Sequence, residues 1–112
     1  MKNIDILNLT NTLSPLNIKN LEISDFLSLI TTKKHLSAKA DDINQTIQDL
    51  IQSSKSESKS EQEQKDIITL YLLKPSDLTI QDKLSNEGLK IIVDNNDLKL
   101  NTIMLLHEYL IE

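Results

Sequence analysis

Hydrophobic positions recur with a helical period through the middle of the chain and lose that regularity towards its N-terminus. Leu36, Ala40, Ile43, Ile47, Leu50 and Ile51 fall at i, i+4, i+7, i+11, i+14 and i+15, one face of a helix at 3.6 residues per turn. Ser37 is placed to cap its start, and Asp41 and Asp42 lie where the helix dipole favours negative charge. An earlier start signal, Ser24-Asp25 followed by Phe26, Leu27, Leu29 and Ile30, predicts a separate helix. Residues 1–23 are ambiguous. Ile4, Ile6, Leu7 and Leu9, and then Leu16, Ile18, Leu21 and Ile23 after Pro15, alternate loosely, as a short β-hairpin or an irregular arm would.

From Gln52 to Lys65 the chain holds only Ser, Lys, Glu and Gln. Nothing there can bury against a core, so the stretch reads as a linker or a solvated helical extension. It divides the chain into an N-terminal arm and amphipathic helix (1–51), a polar linker (52–65) and a C-terminal helical hairpin (66–112). In the last part, Asp66 to Leu73 ends at Lys74-Pro75, where proline stops a helix. Ser76 or Asp77 can cap the next helix, which would carry Leu78, Ile80, Leu84, Leu89, Ile91 and Ile92. Asp94-Asn95-Asn96-Asp97 breaks the pattern, and a final helix follows with Leu100, Ile103, Leu106 and Leu110. A second reading stays open here. Leu89 to Val93, Asn95-Asn96 and Leu98 to Leu100 also fit a β-hairpin, because Asn tolerates the positive φ of a tight turn. The fold class is therefore mainly α, with α+β and a hairpin near 89–100 as the alternative.

Composition narrows this. Gly88 is the only glycine, and Pro15 and Pro75 are the only prolines; long elements with few tight turns follow, which favours helices. With Phe26, Tyr71 and Tyr109 the only aromatics and Val93 the only valine, the core must be built from Leu and Ile. A core that thin gains from burial against a partner. The net charge is −5 and every cation apart from histidine is a lysine. Binding a phosphate backbone needs clustered cations, and arginine supplies the bidentate fork, so nucleic acid is excluded as the main partner. Lys33-Lys34-His35, the densest basic spot, reads as a solvated helix end. Without cysteine there is no disulfide and no thiolate metal site. No stretch approaches the length of a membrane span, and the N-terminus lacks the apolar run of a secretory signal. Synthesis as a soluble cytoplasmic product is the expectation.

No motif in the sequence points to an enzyme, a cofactor or a small-molecule substrate. His35 and His107 are 72 positions apart, and the i, i+4 pair of a helical zinc site is missing. Asp94 and Asn96 with Gly88 have the wrong order for a calcium loop. No Gly-x-Ser-x-Gly turn presents a nucleophile, and Asp41-Asp42 sit in an exposed first turn where carboxylates do no acid–base work. The expected partners are proteins.

The segment from Lys74 to Asn86 carries a family resemblance. Gln81, then Leu84-Ser85, and later Thr102, Ile103, Leu106 and Leu110 resemble the pattern of the inner-rod and needle subunits of bacterial type III secretion systems, across roughly residues 70–112. The chain departs from that family at Glu87-Gly88, at Asn101 and in its closing Leu106-His107-Glu108-Tyr109-Leu110 run. The resemblance implies a structural subunit, exported to the cell envelope or surface, that packs helically into a hollow conduit. Its self-association surface would then be Leu84, Leu89, Ile92, Leu100, Ile103, Leu106 and Leu110, and such heterologous packing needs no catalytic residue. Two other functions are compatible with the sequence: an acidic inhibitor or antitoxin-like protein steered to a basic partner, and a small adaptor or chaperone offering a groove to a client helix.

Overall fold

A computed structural model of the chain describes residues 1–111. Among them are five helices and no strand: α1 (Asn3–Leu13), α2 (Ile23–Ser56), α3 (Glu61–Leu72), α4 (Asn86–Asn95) and α5 (Leu100–Leu110). The fold is all-α, so the hairpin alternative at 89–100 is overturned. The 34 residues of α2 rise about 51 Å, which accounts for the long dimension of a molecule measuring 53 × 24 × 21 Å.

The first element is a correction to the expectation of a hairpin or irregular arm. Residues 3–13 are helical because Ile6, Leu9 and Leu13 stand three and four apart and are all buried, whereas the looser alternation includes Ile4 and Leu7, which are only half-buried. Helix α1 packs along α2. Asn3 donates from its side-chain amide to the Tyr71 carbonyl at 2.9 Å, and the Ser76 amide donates to the Met1 carbonyl at 2.8 Å. The N-terminus is thus tied to the end of α3.

Helix α2 merges two expected helices. Neither Gly nor Pro interrupts residues 23–56, and Thr32 continues the inward face between Leu29 and Leu36. Asp25, Leu29, Thr32, Leu36, Ala40 and Ile43 are all buried along it. Ser37 accordingly lies mid-helix and caps nothing, and Glu22 occupies the N-cap position. The polar stretch 52–65 is helix, turn and helix. α2 runs on to Ser56, Ser58 takes a positive φ of 58°, and Ser60 with Glu63 closes a capping box that starts α3. This capping satisfies amide groups that the helix start leaves without partners. α3 then returns against α2.

The helix expected from Ser76 through Ile92 begins only at Asn86. Ser76 accepts from the Leu78 amide at 3.2 Å, a local turn that competes with helix, and residues 76–85 cross the molecule without helical structure. Lys39 of α2 meets Asp77 at 2.9 Å. The hydrogen bond and charge of Lys39 hold the Asp77 carboxyl below its ordinary value of 3.8, so the ion pair stabilises the fold above that value and the contribution is lost as pH falls through the lower, folded one. Asp77→Asn should therefore flatten the acid limb of the stability–pH profile below about pH 4. The difference will be small, because Asp77 is 88% exposed; thermal melts of both proteins from pH 2 to 6 measure it.

The C-terminal ends of α4 and α5 are each pinned by hydrogen bonds with groups outside the helix. Asn96 accepts from the Asn17 amide and donates to the Asn17 carbonyl, each at 2.8 Å. Asn95 donates to the Lys19 carbonyl at 2.7 Å. The asparagine pair thus fastens the α1–α2 connection to the end of α4. At the end of α5, the Lys83 ammonium donates to the Tyr109 carbonyl and the Leu84 amide to the Leu110 carbonyl, at 2.8 and 2.7 Å. A cation there also suits the negative end of α5. One core runs through all of this, from Ile6 and Leu9 through Leu29 and Leu36 to Ile92, Leu106 and Leu110.

Candidate interaction surface

The seven residues expected to form a self-association surface divide sharply. Leu84, Leu89, Ile92, Leu106 and Leu110 lie in the chain's own core, Ile103 is half-buried and Leu100 is 69% exposed. In this fold the C-terminal helices turn their apolar faces inward against α1 and each other.

The exposed apolar side chains are concentrated elsewhere. Ile23 is 71% exposed, Leu27 56%, Ile30 39% and Phe26 37%. They stand at i, i+3, i+4 and i+7 on the first turns of α2, one continuous stripe. At 3.6 residues per turn this stripe lies across the helix from Asp25, Leu29, Thr32 and Leu36, which face the core. α2 is therefore apolar on two sides at its start, and only one of them is covered. Scattered surface leucines need no explanation, but a contiguous apolar stripe marks a contact site. Leu100 and Met104 on α5, and Leu70 and Leu73 around the end of α3, form shorter pairs.

The start of α2 is held rigidly. Asp25 is buried, and its carboxylate accepts from the Ser85 amide at 3.0 Å and from the Ser85 hydroxyl at 2.6 Å. The Ser85 hydroxyl in turn accepts from the Gly88 amide at 3.0 Å, the N-cap bond of α4. An anionic side chain at a helix N-terminus is favoured by the dipole. Gly88 has to be glycine for close approach, since a Cβ there would stand 2.6 Å from Asp25 Oδ2. Sequence periodicity gave no hint of this triad, because it depends on bringing residues 25 and 85 together. The lone glycine was the available signal.

An Asp–Ser pair at 2.6 Å invites a catalytic reading. Neither histidine hydrogen-bonds to it, the serine hydroxyl caps α4, and both carboxylate oxygens accept from Ser85; the arrangement locks two helices together. Among the described residues no three His, Cys, Asp or Glu side chains converge as metal ligands, and no helix is long and apolar enough to cross a membrane. A depression lined by Gln45, Gln48, Asp49, Ile51 and Gln52 runs along α2 alone, and one helix cannot enclose a ligand. Among the described residues the fold is all-α, with an exposed apolar stripe on the first turns of α2. No family model, no curated protein and no solved structure matches the chain.

Proposed function

We propose that this chain is a non-enzymatic assembly subunit that works by docking a protein on the outer face of α2. What supports the reading is the Ile23, Phe26, Leu27 and Ile30 stripe, exposed on a helix start that Asp25 and Ser85 fix in place. A rigid apolar helical face binds without a large ordering cost. A subunit of a secretion conduit, made in the cytoplasm and exported, is the more particular form of this proposal, supported by the resemblance of residues 70–112. In that form too the contact begins on α2, since Leu84, Leu89, Ile92, Leu106 and Leu110 are engaged inside the chain.

Photo-crosslinking in the producing cell tests this. A photoreactive residue at Leu27 is expected to give a discrete protein adduct, and the same residue at exposed Gln48, further along α2, none. Absence of an adduct at Leu27, or equal yields at both positions, would remove the reading.

A further inference from the structure

The spacing of the apolar stripe and the charges beside it suit a self-complementary contact. Its apolar positions, Ile23, Phe26, Leu27 and Ile30, are placed symmetrically about the midpoint between Phe26 and Leu27, with Phe and Leu exchanged. We infer that the partner on this face is a second copy of the chain, with the two α2 starts packed antiparallel about a two-fold axis at that midpoint. This inference rests on the docking surface proposed above and names what covers it.

A two-fold interface is isologous, so the same patch must complement itself. About this axis Ile23 meets the second copy's Ile30, and Phe26 meets its Leu27. Every exposed apolar side chain of the stripe thereby faces another. The charges obey the same operation. Glu22 lies just before the stripe and Lys33 just after it, and at 3.6 residues per turn they occupy the same flank of the helix. A two-fold axis perpendicular to the plane of two antiparallel helices brings like flanks together, which sets Glu22 of each copy beside Lys33 of the other. Glu22 is exposed and Lys33 half-buried, and among the described residues neither is held in an ion pair. The opposite flank carries Ser24 and Thr31, which the same operation brings together. A parallel two-fold arrangement would instead bring unlike flanks together, with Glu22 beside the second copy's Ser24 and Lys33 beside its Thr31, and no charges paired.

The contact is small. Stable dimers bury about 800 Å² on each partner, and a stripe of under three turns with its flanks falls at or below that size. A reversible, concentration-dependent dimer follows. This interface closes on itself and leaves the shorter Leu100 and Met104 patch on α5 free.

Sedimentation velocity of the full chain over a concentration series reads the association, with circular dichroism on the same samples as a check on folding. The wild-type chain is expected to move from monomer to dimer, and Leu27→Asp to raise the dissociation constant tenfold or more, about the effect of losing an interface anchor, with unchanged helicity. Orientation is read from charge exchange. Glu22→Lys and Lys33→Glu should each weaken the dimer about fivefold, and the two together in one chain should restore it. Dimerisation that survives Leu27→Asp, or a double exchange that fails to rescue, would overturn the antiparallel stripe dimer. A wild-type monomer at every concentration would overturn it too. If a crosslink from Leu27 to a different protein then appeared in cells, the docking surface would stand with another occupant; if none appeared, both proposals would fall.

Discussion

Gly88→Ala is expected to destabilise this protein by about 2 kcal/mol, although alanine in place of a helical glycine ordinarily stabilises by up to about 1 kcal/mol. The reversal comes from Asp25. A Cβ on residue 88 would stand 2.6 Å from Asp25 Oδ2 and 2.8 Å from its Cγ. A flexible surface side chain would swing aside at little cost, but this carboxylate is buried and fixed by two hydrogen bonds from Ser85. Either Asp25 rotates and leaves those bonds, with a buried polar group unpaired, or α4 withdraws from α2 and opens the packing around Leu89. Both responses destabilise. A double-mutant cycle isolates the cause. In an Asp25→Ala background the carboxylate contacts are gone and only the Cβ of residue 25, at 3.3 Å, remains close, so Gly88→Ala should cost far less or become neutral, and the coupling should exceed about 1 kcal/mol. Equal effects of Gly88→Ala in the two backgrounds, measured by urea unfolding, would show that Asp25 is not what excludes a side chain there.

The second large effect is expected at Leu106. Leu106→Asp should unfold the chain at room temperature, while Leu100→Asp should change stability by less than about 0.5 kcal/mol. The two leucines share a helix and a hydropathy, and differ in surroundings. Leu106 is fully buried in the core that joins α1, α2, α4 and α5, and Leu100 is 69% exposed. A carboxylate at position 106 would have to lose its water or enter the core protonated, at a cost of several kcal/mol, a large part of the 5–15 kcal/mol that is roughly typical of a domain's whole stability. Thermal melts followed by circular dichroism at 222 nm distinguish these outcomes. The same pair separates the two surfaces considered for assembly: if Leu106 were an interface residue with a folded monomer behind it, Leu106→Asp would yield a soluble, helical protein that merely fails to associate.

Much of the helical content is legible along the chain. Leu36, Ala40, Ile43 and Ile47 announce α2, Pro75 marks the end of the segment before it, and Asp94 to Asp97 separates α4 from α5. Boundaries are less legible. The run from Leu78 to Leu84 looks like a continuation of α4 because Leu and Ile recur there, yet Ile80 and Leu84 are buried by an extended segment. Burial alone does not distinguish the two conformations when the neighbours are unknown. The asparagines illustrate the same point. Asn95-Asn96 has the chemistry of a hairpin turn, and it serves instead to hold residues 17 and 19 through side-chain amides, partners nearly eighty positions away.

The surface was the least legible feature. Phe26, Leu27, Leu29 and Ile30 are a single apolar cluster in the sequence, and only packing decides that Leu29 faces the core while Phe26, Leu27 and Ile30 do not. The reverse happens at the C-terminus, where an apolar stripe that suits an interface is covered by α1 and the 76–85 segment. A helix with apolar residues on two sides presents both as candidates, and the choice belongs to whichever elements reach it first.

By itself, the sequence determined that this chain is helical, acidic, poor in turns and without a recognisable catalytic or metal-binding pattern, because spacing, charge and the near absence of glycine are local properties. Tertiary structure alone decided that α2 is one unbroken helix with its N-terminal part pinned by Asp25 to α4, that Gly88 is required there, and that the exposed apolar stripe lies at residues 23–30. Each of those depends on contacts between residues tens of positions apart, and which face of an amphipathic helix stays in water is fixed only when the rest of the chain has packed against the other.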